Sequence, residues 1–81
     1  MKVEFTNRAK KDFKKLPIFI QNKFFESFEK LKKSETLDIK KMVGRGEQYR
    51  IRVGNFRAII EKEEKRWLIL FFGSRGTIYC L

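Results

Sequence analysis

The sequence predicts an α+β fold, in which an N-terminal strand and a helical hairpin precede a mainly antiparallel sheet of three or four strands. Apolar residues recur at helical spacing between residues 9 and 31, and they alternate with polar residues between residues 49 and 53. A continuous apolar run follows at residues 67–72. A chain of 81 residues can form one core of two layers, so we assign residues 1–81 to a single domain.

The composition is strongly basic. The chain has 20 Lys and Arg residues against 10 Asp and Glu residues, which gives a formal net charge of +10. Such a charge on a small domain favours binding to a polyanion or to an acidic protein. Hydrophobic residues make up 42% of the chain and include nine phenylalanines, so we expect a packed globule rather than a disordered basic tail.

Several kinds of chemistry are excluded by what the sequence lacks. With one cysteine, Cys80, and no histidine, the chain cannot form an internal disulfide or supply the soft ligands of a zinc site. The lack of histidine also removes the usual acid–base residue and the Ser-His and Cys-His nucleophile pairs. We therefore expect no metal and no cofactor.

The sequence has no recognisable targeting or membrane segment. The N-terminus lacks the apolar stretch of a signal peptide, and no apolar run approaches the roughly 18–20 residues that a membrane span requires. We therefore expect a cytoplasmic protein that has no membrane partner.

The first part of the chain predicts a strand and two helices. Polar and apolar residues alternate from Lys2 to Phe5, which predicts a short strand. Thr6 or Asn7 can then cap a helix. Pro17 ends this first helix and suits the first turn of a second one, which we expect to end near Lys33. The apolar stripes of the two helices are Ala9, Phe13 and Leu16, and then Ile20, Phe24, Phe28 and Leu31. Such stripes are typical of a core that covers one face of a sheet.

Periodicity fades between residues 34 and 47. Residues 38–43 predict a short strand, and Gly44-Arg45-Gly46 predicts a turn. This glycine-rich segment could approach a phosphate closely, but it lacks the following helix N-terminus of a phosphate-binding loop. A plain turn is the better interpretation.

The segment Gln48 to Arg57, QYRIRVGNFR, predicts a β-hairpin that closes at Gly54-Asn55. Residues 49–53 alternate strictly, and Gly-Asn is a pair that tolerates the positive φ of a two-residue hairpin turn. The predicted register pairs Val53 with Phe56, Arg52 with Arg57, Ile51 with Ala58, Arg50 with Ile59 and Tyr49 with Ile60. One face of the hairpin is then apolar, and we expect the helices to cover it. The other face, which we call the arginine face, carries Arg50, Arg52, Arg57 and Ile59.

The arginine face predicts a site for an anion. Two arginines that lie opposite each other in a sheet repel unless an anion lies between them, and Arg52 and Arg57 form such a pair in the predicted register. Solvent screens a single exposed arginine, but three on one face favour a site for a phosphate or a carboxylate.

The last predicted strand follows an acidic turn at residues 63–65. The apolar run of residues 67–72 predicts a central strand, which is either buried on both faces or covered on its open face by a partner. The length of the turn decides its orientation, and the sequence leaves two registers open. The residues beside the arginines are either Leu68, Leu70 and Phe72 or Trp67, Ile69 and Phe71. Arg75 and Tyr79 follow this strand.

Together these segments resemble the RelE/ParE superfamily of toxins from toxin–antitoxin systems. The resemblance covers nearly the whole chain and rests on FKKLP in the helical hairpin, YRIRVGNFR in the strand pair, the acidic turn, the apolar strand and GSRGTIY at the end. It implies a RelE-like fold. RelE-like toxins are metal-independent endoribonucleases that cut messenger RNA on the ribosome, through attack of the ribose 2′-hydroxyl on the adjacent phosphate. The implied partners are an acidic antitoxin and the ribosome with its messenger RNA.

The resemblance also implies site residues, carried over by position. The implied catalytic residues are Arg50, Arg52, Arg57, Arg75 and Tyr79. Arg57 and Arg75 would contact the phosphate, and Tyr79 would orient a base or share in proton transfer. The candidate RNA-binding residues are Lys40, Lys41 and Arg45.

One departure from the family concerns the proton acceptor. Some relatives have lysines where this chain has Arg50 and Arg52, and arginine does not lose its proton at physiological pH. Tyr79 could be the general base in its deprotonated form, which surrounding positive charge favours. Glu47 and Glu61 are the alternatives.

Two other functions fit the same resemblance. One is that of a ParE-like toxin, which poisons DNA gyrase through protein contact and cuts no RNA itself. The other is that of a relic of the fold, which binds RNA or an antitoxin without catalysis. The shared fold does not decide among the three functions.

Overall fold

Two helices pack on one face of a β-sheet in the described part of this computed structural model, which comprises residues 2–33, 39–41 and 47–74. The elements are β1 (Lys2–Phe5), α1 (Asn7–Lys14), α2 (Ile18–Lys32), β2 (Ile39–Lys41), β3 (Gln48–Val53), β4 (Phe56–Lys62) and β5 (Arg66–Ser74). Their strands lie in the order β1-β5-β4-β3-β2, with β1 parallel to β5 and the other neighbours antiparallel. The predicted α+β arrangement is confirmed, and the structure adds that β1 belongs to the same sheet.

Side chains form hydrogen bonds with the backbone at both ends of α1. Thr6 caps its start, where the hydroxyl accepts a hydrogen bond from the backbone N–H of Ala9 at 3.0 Å. At the other end, the side-chain amide of Gln21 donates to the carbonyls of Phe13 and Leu16 at 2.9 and 3.0 Å. Phe13 lies in the last turn of α1, and Leu16 follows the end of the helix. Gln21 therefore joins the two helices into the predicted hairpin.

Helix α2 carries the main apolar stripe of the core. Pro17 is its N-cap residue, directly before the first turn, whereas we predicted it within that turn. The helix ends at Lys32 with Lys33 as its C-cap residue, as predicted. The four residues of its stripe are all buried: Ile20, Phe24, Phe28 and Leu31. Neither α1 nor α2, which are the helices of the described part, is long and apolar enough to cross a membrane.

A cluster of phenylalanine rings fills the space between the helices and the sheet. Phe72 lies at its centre, with ring centroids 5.9 Å from Phe5, 5.3 Å from Phe13, 5.1 Å from Phe24 and 6.1 Å from Phe28. Ring pairs at such distances stabilise by about 0.5–1.5 kcal/mol each, beyond the burial of their surface. Strand β1, both helices and β5 therefore meet around one side chain.

The β3–β4 hairpin has the predicted register at every pair. Val53 pairs with Phe56 and Arg52 with Arg57, and the other predicted pairs follow without a shift. Gly54 begins the two-residue turn with a φ of 57°, in the left-handed region. Glycine adopts this region at little cost, whereas a residue with a Cβ is strained there. The turn therefore fixes which side chains reach the arginine face.

Strand β5 contains a β-bulge. Ile59 pairs with Phe71 whereas the next residue, Ile60, pairs with Ile69, so Leu70 is an extra residue at this point. The bulge reverses the alternation, and neither of the two predicted orientations holds along the whole strand. The side chains of β5 in the core are those of Trp67, Ile69 and Phe72.

Strand β5 is central, as predicted, because it lies between β1 and β4. Its other apolar side chains, outside the core cluster, are half-buried: Leu68, Leu70 and Phe71. One face of β5 is therefore core, and the other keeps partial exposure.

Within the described residues, β2 is the outermost strand on one side of the sheet. This strand has three residues, in which Lys40 pairs with Arg50 and Lys41 with Tyr49. It falls within the segment that the sequence predicts as a short strand. The predicted turn Gly44-Arg45-Gly46 lies outside the described residues.

At the other side of the sheet, Arg66 joins β1 to the turn before β5. Its Nη1 lies 3.4 Å from a carboxylate oxygen of Glu4, and its Nε donates a hydrogen bond to Glu63. The carboxylate of Glu63, with that of Glu4, raises the pKa of Arg66 above its usual value. The cation is therefore present at all physiological pH values.

We expect Gly54→Ala to lower the free energy of unfolding by about 1–2 kcal/mol, which is the cost of a left-handed conformation for an L-residue. A Cβ at this position would lie 3.9 Å from Cδ1 of Ile20, an ordinary contact, so the loss would come from the backbone. Gly54→Asn is the matched control because asparagine tolerates this region better. Denaturation by urea measures both variants, and equal losses would contradict the backbone explanation.

Candidate functional site

The arginine face lies on the side of the sheet away from the two helices. Ile51, Ala58 and Ile60 belong to the core cluster beneath the helices, and strand alternation turns their neighbours to the opposite side. The side chains on that side include Arg50, Arg52, Arg57 and Ile59, as predicted. Because they come from two adjacent strands, the sheet holds them on a rigid support.

The three arginines differ in exposure. Arg52 is exposed, Arg50 is half-buried, and Arg57 keeps only 6% of its surface accessible. Ile59, opposite Arg50 on the same face, is buried with 2% exposure. The arginine face therefore carries a buried cation on β4, Arg57, and an exposed cation on the adjacent β3, Arg52.

The register places Arg57 directly opposite Arg52. Like charges in this arrangement are destabilising, and burial removes a guanidinium from the water that would stabilise its charge. An oxyanion that contacts both side chains would offset both effects through charge-assisted hydrogen bonds. Arginine suits this role because its planar fork matches the geometry of a phosphate or a carboxylate.

The other predicted site residues lie either in β2 or outside the described residues. Lys41 pairs with Tyr49, which packs against the core, and its Nζ lies 3.6 Å from a carboxylate oxygen of Glu47. Lys40 pairs with Arg50 in register, but its side chain is outside the described part of the structure. Three further predicted residues lie outside the described residues altogether: Arg45, Arg75 and Tyr79.

The two carboxylates considered as bases have different surroundings. Glu61 pairs with Gln48, whose side-chain amide donates to it at 3.2 Å. It lies two residues from Ile59 in β4, so it shares the arginine face. Glu47 precedes β3 and accepts a hydrogen bond from the hydroxyl of Tyr49 at 3.2 Å. Of the two, Glu61 is the carboxylate that shares a face with the arginines.

Arg8 of α1 also reaches the arginine face, and it is not among the site residues that the sequence predicts. Its guanidinium carbon lies 4.4 Å from the ring centroid of Phe71, within the range of a cation–π interaction. Phe71 pairs with Ile59 and so lies on the arginine face. This contact depends on the β-bulge, for which the sequence carries no local signal.

The arginine face can bind an oxyanion and stabilise negative charge that develops on it. Each guanidinium offers five N–H donors and cannot act as a base at physiological pH. Proton transfer at this face therefore requires another residue. Among the described residues, no group of three or more Cys, Asp or Glu side chains is arranged to hold a metal ion.

Comparison with known proteins identifies similar sequences. A family model described as ParE toxin of type II toxin–antitoxin system, parDE, matches residues 3–79. A protein of Methanocaldococcus jannaschii with the provisional name toxin RelE1 is 44% identical over 59 residues. That alignment covers 68% of this chain and 66% of the relative, just under two thirds of its length.

Solved structures share the fold. A chain of the RelB–RelE antitoxin–toxin complex from Methanococcus jannaschii superimposes with a TM-score of 0.83 at 32% identity, over 94% of both chains. For the archaeal RelE–RelB complex from Pyrococcus horikoshii OT3, the TM-score is 0.76 at 27% identity, over 94% of this chain and 96% of that chain. For the isolated E. coli RelE toxin, the TM-score is 0.80 at 18% identity, over 98% of this chain and 90% of that chain. At this identity, the similarity concerns the fold alone.

Inorganic phosphate should stabilise the folded chain against heat, because a bound oxyanion offsets the repulsion between Arg52 and Arg57. At ten times its dissociation constant, it adds about 1.4 kcal/mol to the free energy of unfolding. We expect the melting temperature to rise by several degrees in a domain of this size. Differential scanning calorimetry at constant ionic strength, with chloride as the replaced anion, measures the shift.

Two variants control this measurement. Arg52→Gln should lose most of the shift, whereas Lys23→Gln, which changes an exposed residue of α2, should keep it. An equal shift in the unmodified chain and in Arg52→Gln would place the phosphate elsewhere.

Proposed function

We propose a function from one premise: the chain belongs to the RelE/ParE superfamily of toxins. On this premise it is the toxin of a type II toxin–antitoxin system, and it inhibits translation as a metal-independent, ribosome-dependent endoribonuclease of messenger RNA. The observation that carries the proposal is the arginine face, with three cations on adjacent strands, one of them buried, opposite the helices. A phosphodiester is an oxyanion that such a face can hold and polarise.

The proposed cleavage uses the 2′-hydroxyl of the RNA as the nucleophile. Its oxygen attacks the adjacent phosphorus, and the bond from phosphorus to the 5′-oxygen of the next nucleotide breaks. The products are a 2′,3′-cyclic phosphate and a free 5′-hydroxyl. Negative charge grows on the non-bridging phosphate oxygens during the attack, so donors that already face them stabilise the transition state more than the bound RNA.

The position of each arginine determines its proposed role in this reaction. Arg57 is held in place by burial, and Arg52 lies opposite it, so both can contact the same phosphate. By position in the family motif, Arg75 joins Arg57 at that phosphate, and Tyr79 stacks on or orients a base. Arg50, which is half-buried on the same face, adds positive charge beside the attacked group.

We assign the general base to Glu61. It shares the arginine face, and a carboxylate accepts a proton at neutral pH, which a guanidinium cannot do. The proton of the 2′-hydroxyl passes to Glu61, and the departing 5′-oxygen takes a proton from solvent. Tyr79 is the alternative base, by position in the family motif.

The proposed partners are an acidic antitoxin, and the ribosome with its messenger RNA in the cytoplasm. The similar structures from Methanococcus jannaschii and Pyrococcus horikoshii are complexes of RelE with RelB. This chain has a net charge of +10 and exposes three large apolar side chains at the start and middle of α2. They are Ile18, Phe19 and Phe25, with 69%, 64% and 50% exposure. A partner with acidic and apolar residues would complement both features.

A second candidate function is that of a ParE-like toxin, which poisons DNA gyrase by protein contact. The description of the matching family as ParE toxin favours it. The two functions differ in what the arginine face must do, because a protein contact does not require a buried cation aimed at a phosphate. Substitution of the arginines separates them.

We expect Arg57→Gln to lower cleavage of messenger RNA on translating ribosomes about 10²–10³-fold, which is the usual loss for one donor to a developing charge. Induction of the chain in cells and primer extension on translated messages measure the cuts. Lys23→Ala, on the opposite side of the molecule, should cleave normally, and thermal melting identifies any variant that fails to fold. Cuts that persist in Arg57→Gln would contradict the proposed site, and growth arrest with intact messages would favour gyrase.

Glu61→Gln should slow single-turnover cleavage about 10²–10⁴-fold, because its amide cannot accept a proton. Glu47→Gln is the matched control and should keep the rate. If Glu61→Gln behaves like the control and Tyr79→Phe loses activity, the tyrosine is the base.

A further inference from the structure

Arg8 is oriented by contacts on two sides. The ring centroid of Phe71 lies 4.4 Å from its guanidinium carbon, and a carboxylate oxygen of Asp12 lies 3.7 Å from its Nε. The same oxygen of Asp12 accepts a hydrogen bond from the backbone N–H of Phe72 at 3.2 Å. The Arg8 side chain nevertheless stays 54% exposed, against 24% for Asp12. A guanidinium that is both oriented and accessible is suited to bind a ligand.

The start of α1 is fastened to β5 beyond the end of β1. The hydroxyl of Thr6 donates to the carbonyl of Leu70 at 2.6 Å, and its backbone N–H donates to the carbonyl of Ile69 at 3.0 Å. With the bond from β5 to Asp12, these contacts join both turns of α1 to the bulged part of the strand. The position of Arg8 relative to the sheet is therefore fixed.

Phe71 and Arg57 are diagonal neighbours on the arginine face. Phe71 pairs with Ile59, and Gly73, two residues later in β5, pairs with Arg57, two residues earlier in β4. Such diagonal neighbours lie about 7–8 Å apart. Because Arg8 lies over Phe71, one nucleic-acid strand can contact both Arg8 and Arg57.

We propose that Arg8, seated on Phe71, forms a second subsite for the RNA strand and binds the phosphate next to the one held by Arg57. The inference rests on the proposed function, because the ligand is the same strand, and it adds a subsite contributed by α1. Phe71 supports the guanidinium plane, Asp12 holds its Nε, and the outer N–H groups meet the phosphate. Arg8 is a positioning residue, because it aligns the strand and does not touch the reacting phosphate.

A purely structural role for Arg8 makes a different prediction. An exposed ion pair within a helix contributes little to stability, so its loss would change only the melting temperature, and by a small amount. Loss of a phosphate contact changes how strongly RNA binding depends on salt. The salt dependence therefore separates the two roles.

The test measures binding of a single-stranded RNA with 2′-O-methyl riboses, which lacks the nucleophile and cannot be cut. For a single strand, each phosphate contact contributes about −0.7 to the slope of log K against log salt concentration. Arg8→Ala should make the slope shallower by about 0.7, whereas Arg8→Lys should keep it. Phe71→Leu should weaken binding and keep the slope, and Lys23→Ala should match the unmodified chain.

A cleavage assay on translating ribosomes complements the binding test. Arg8→Ala should raise KM about tenfold, the usual value of a hydrogen bond to a charged group, and change kcat little, because the contact is equal in the bound and transition states. Arg57→Gln should instead lower kcat. Asp12→Asn keeps an acceptor for Phe72 but removes the ion pair, so we expect a smaller rise in KM.

The outcomes separate this inference from the proposed function. If the unmodified chain cleaves and Arg8→Ala has an unchanged slope and KM, the function stands and the second subsite is overturned. If the chain binds the probe but does not cleave, the proposed function fails, and the slope of Arg8→Ala alone decides the inference. A chain that does not bind the probe overturns the second subsite, and cleavage on translating ribosomes then decides the proposed function.

Discussion

The extra residue at Leu70 determines what each face of the sheet carries. Without it, strict alternation from Ile69 would turn Phe72 to the arginine face and Phe71 into the core. The phenylalanine cluster would then lose its central ring. The bulged strand also presents backbone groups to α1, where Thr6 donates to the carbonyl of Leu70 and Asp12 accepts from the N–H of Phe72. The core, the docking of α1 and the composition of the arginine face all depend on this irregularity.

Strands β3 and β4 carry apolar side chains on one face and cations on the other. Beneath the helices, β3 and β4 contribute fully buried apolar side chains to a continuous core. On the other face they hold Arg57 away from water and directly opposite Arg52, where like charges repel. Apolar burial on one side offsets the electrostatic cost on the other. A preorganised positive charge of this kind can stabilise a ligand of opposite charge.

Much of the fold follows from local sequence, because periodicity and turn chemistry act over a few residues. The helical stripes, the Thr6 cap and the register around Gly54 are of this kind, and alternation alone places the three arginines on one face. Local sequence does not predict three other features: the bulge, the parallel pairing of β1 with β5, and the contact of Arg8 with Phe71. Each of these depends on contacts between distant segments, and so does the burial of Arg57.

The outer strands of the sheet affect how copies of the chain meet. β1 has four residues and β2 has three, and each carries an exposed lysine, Lys2 in β1 and Lys41 in β2. Long, uncharged sheet edges promote pairing between molecules, whereas short edges that carry lysine discourage it. A net charge of +10 adds repulsion between copies. Edge-to-edge growth into fibres is therefore disfavoured at both ends of the sheet.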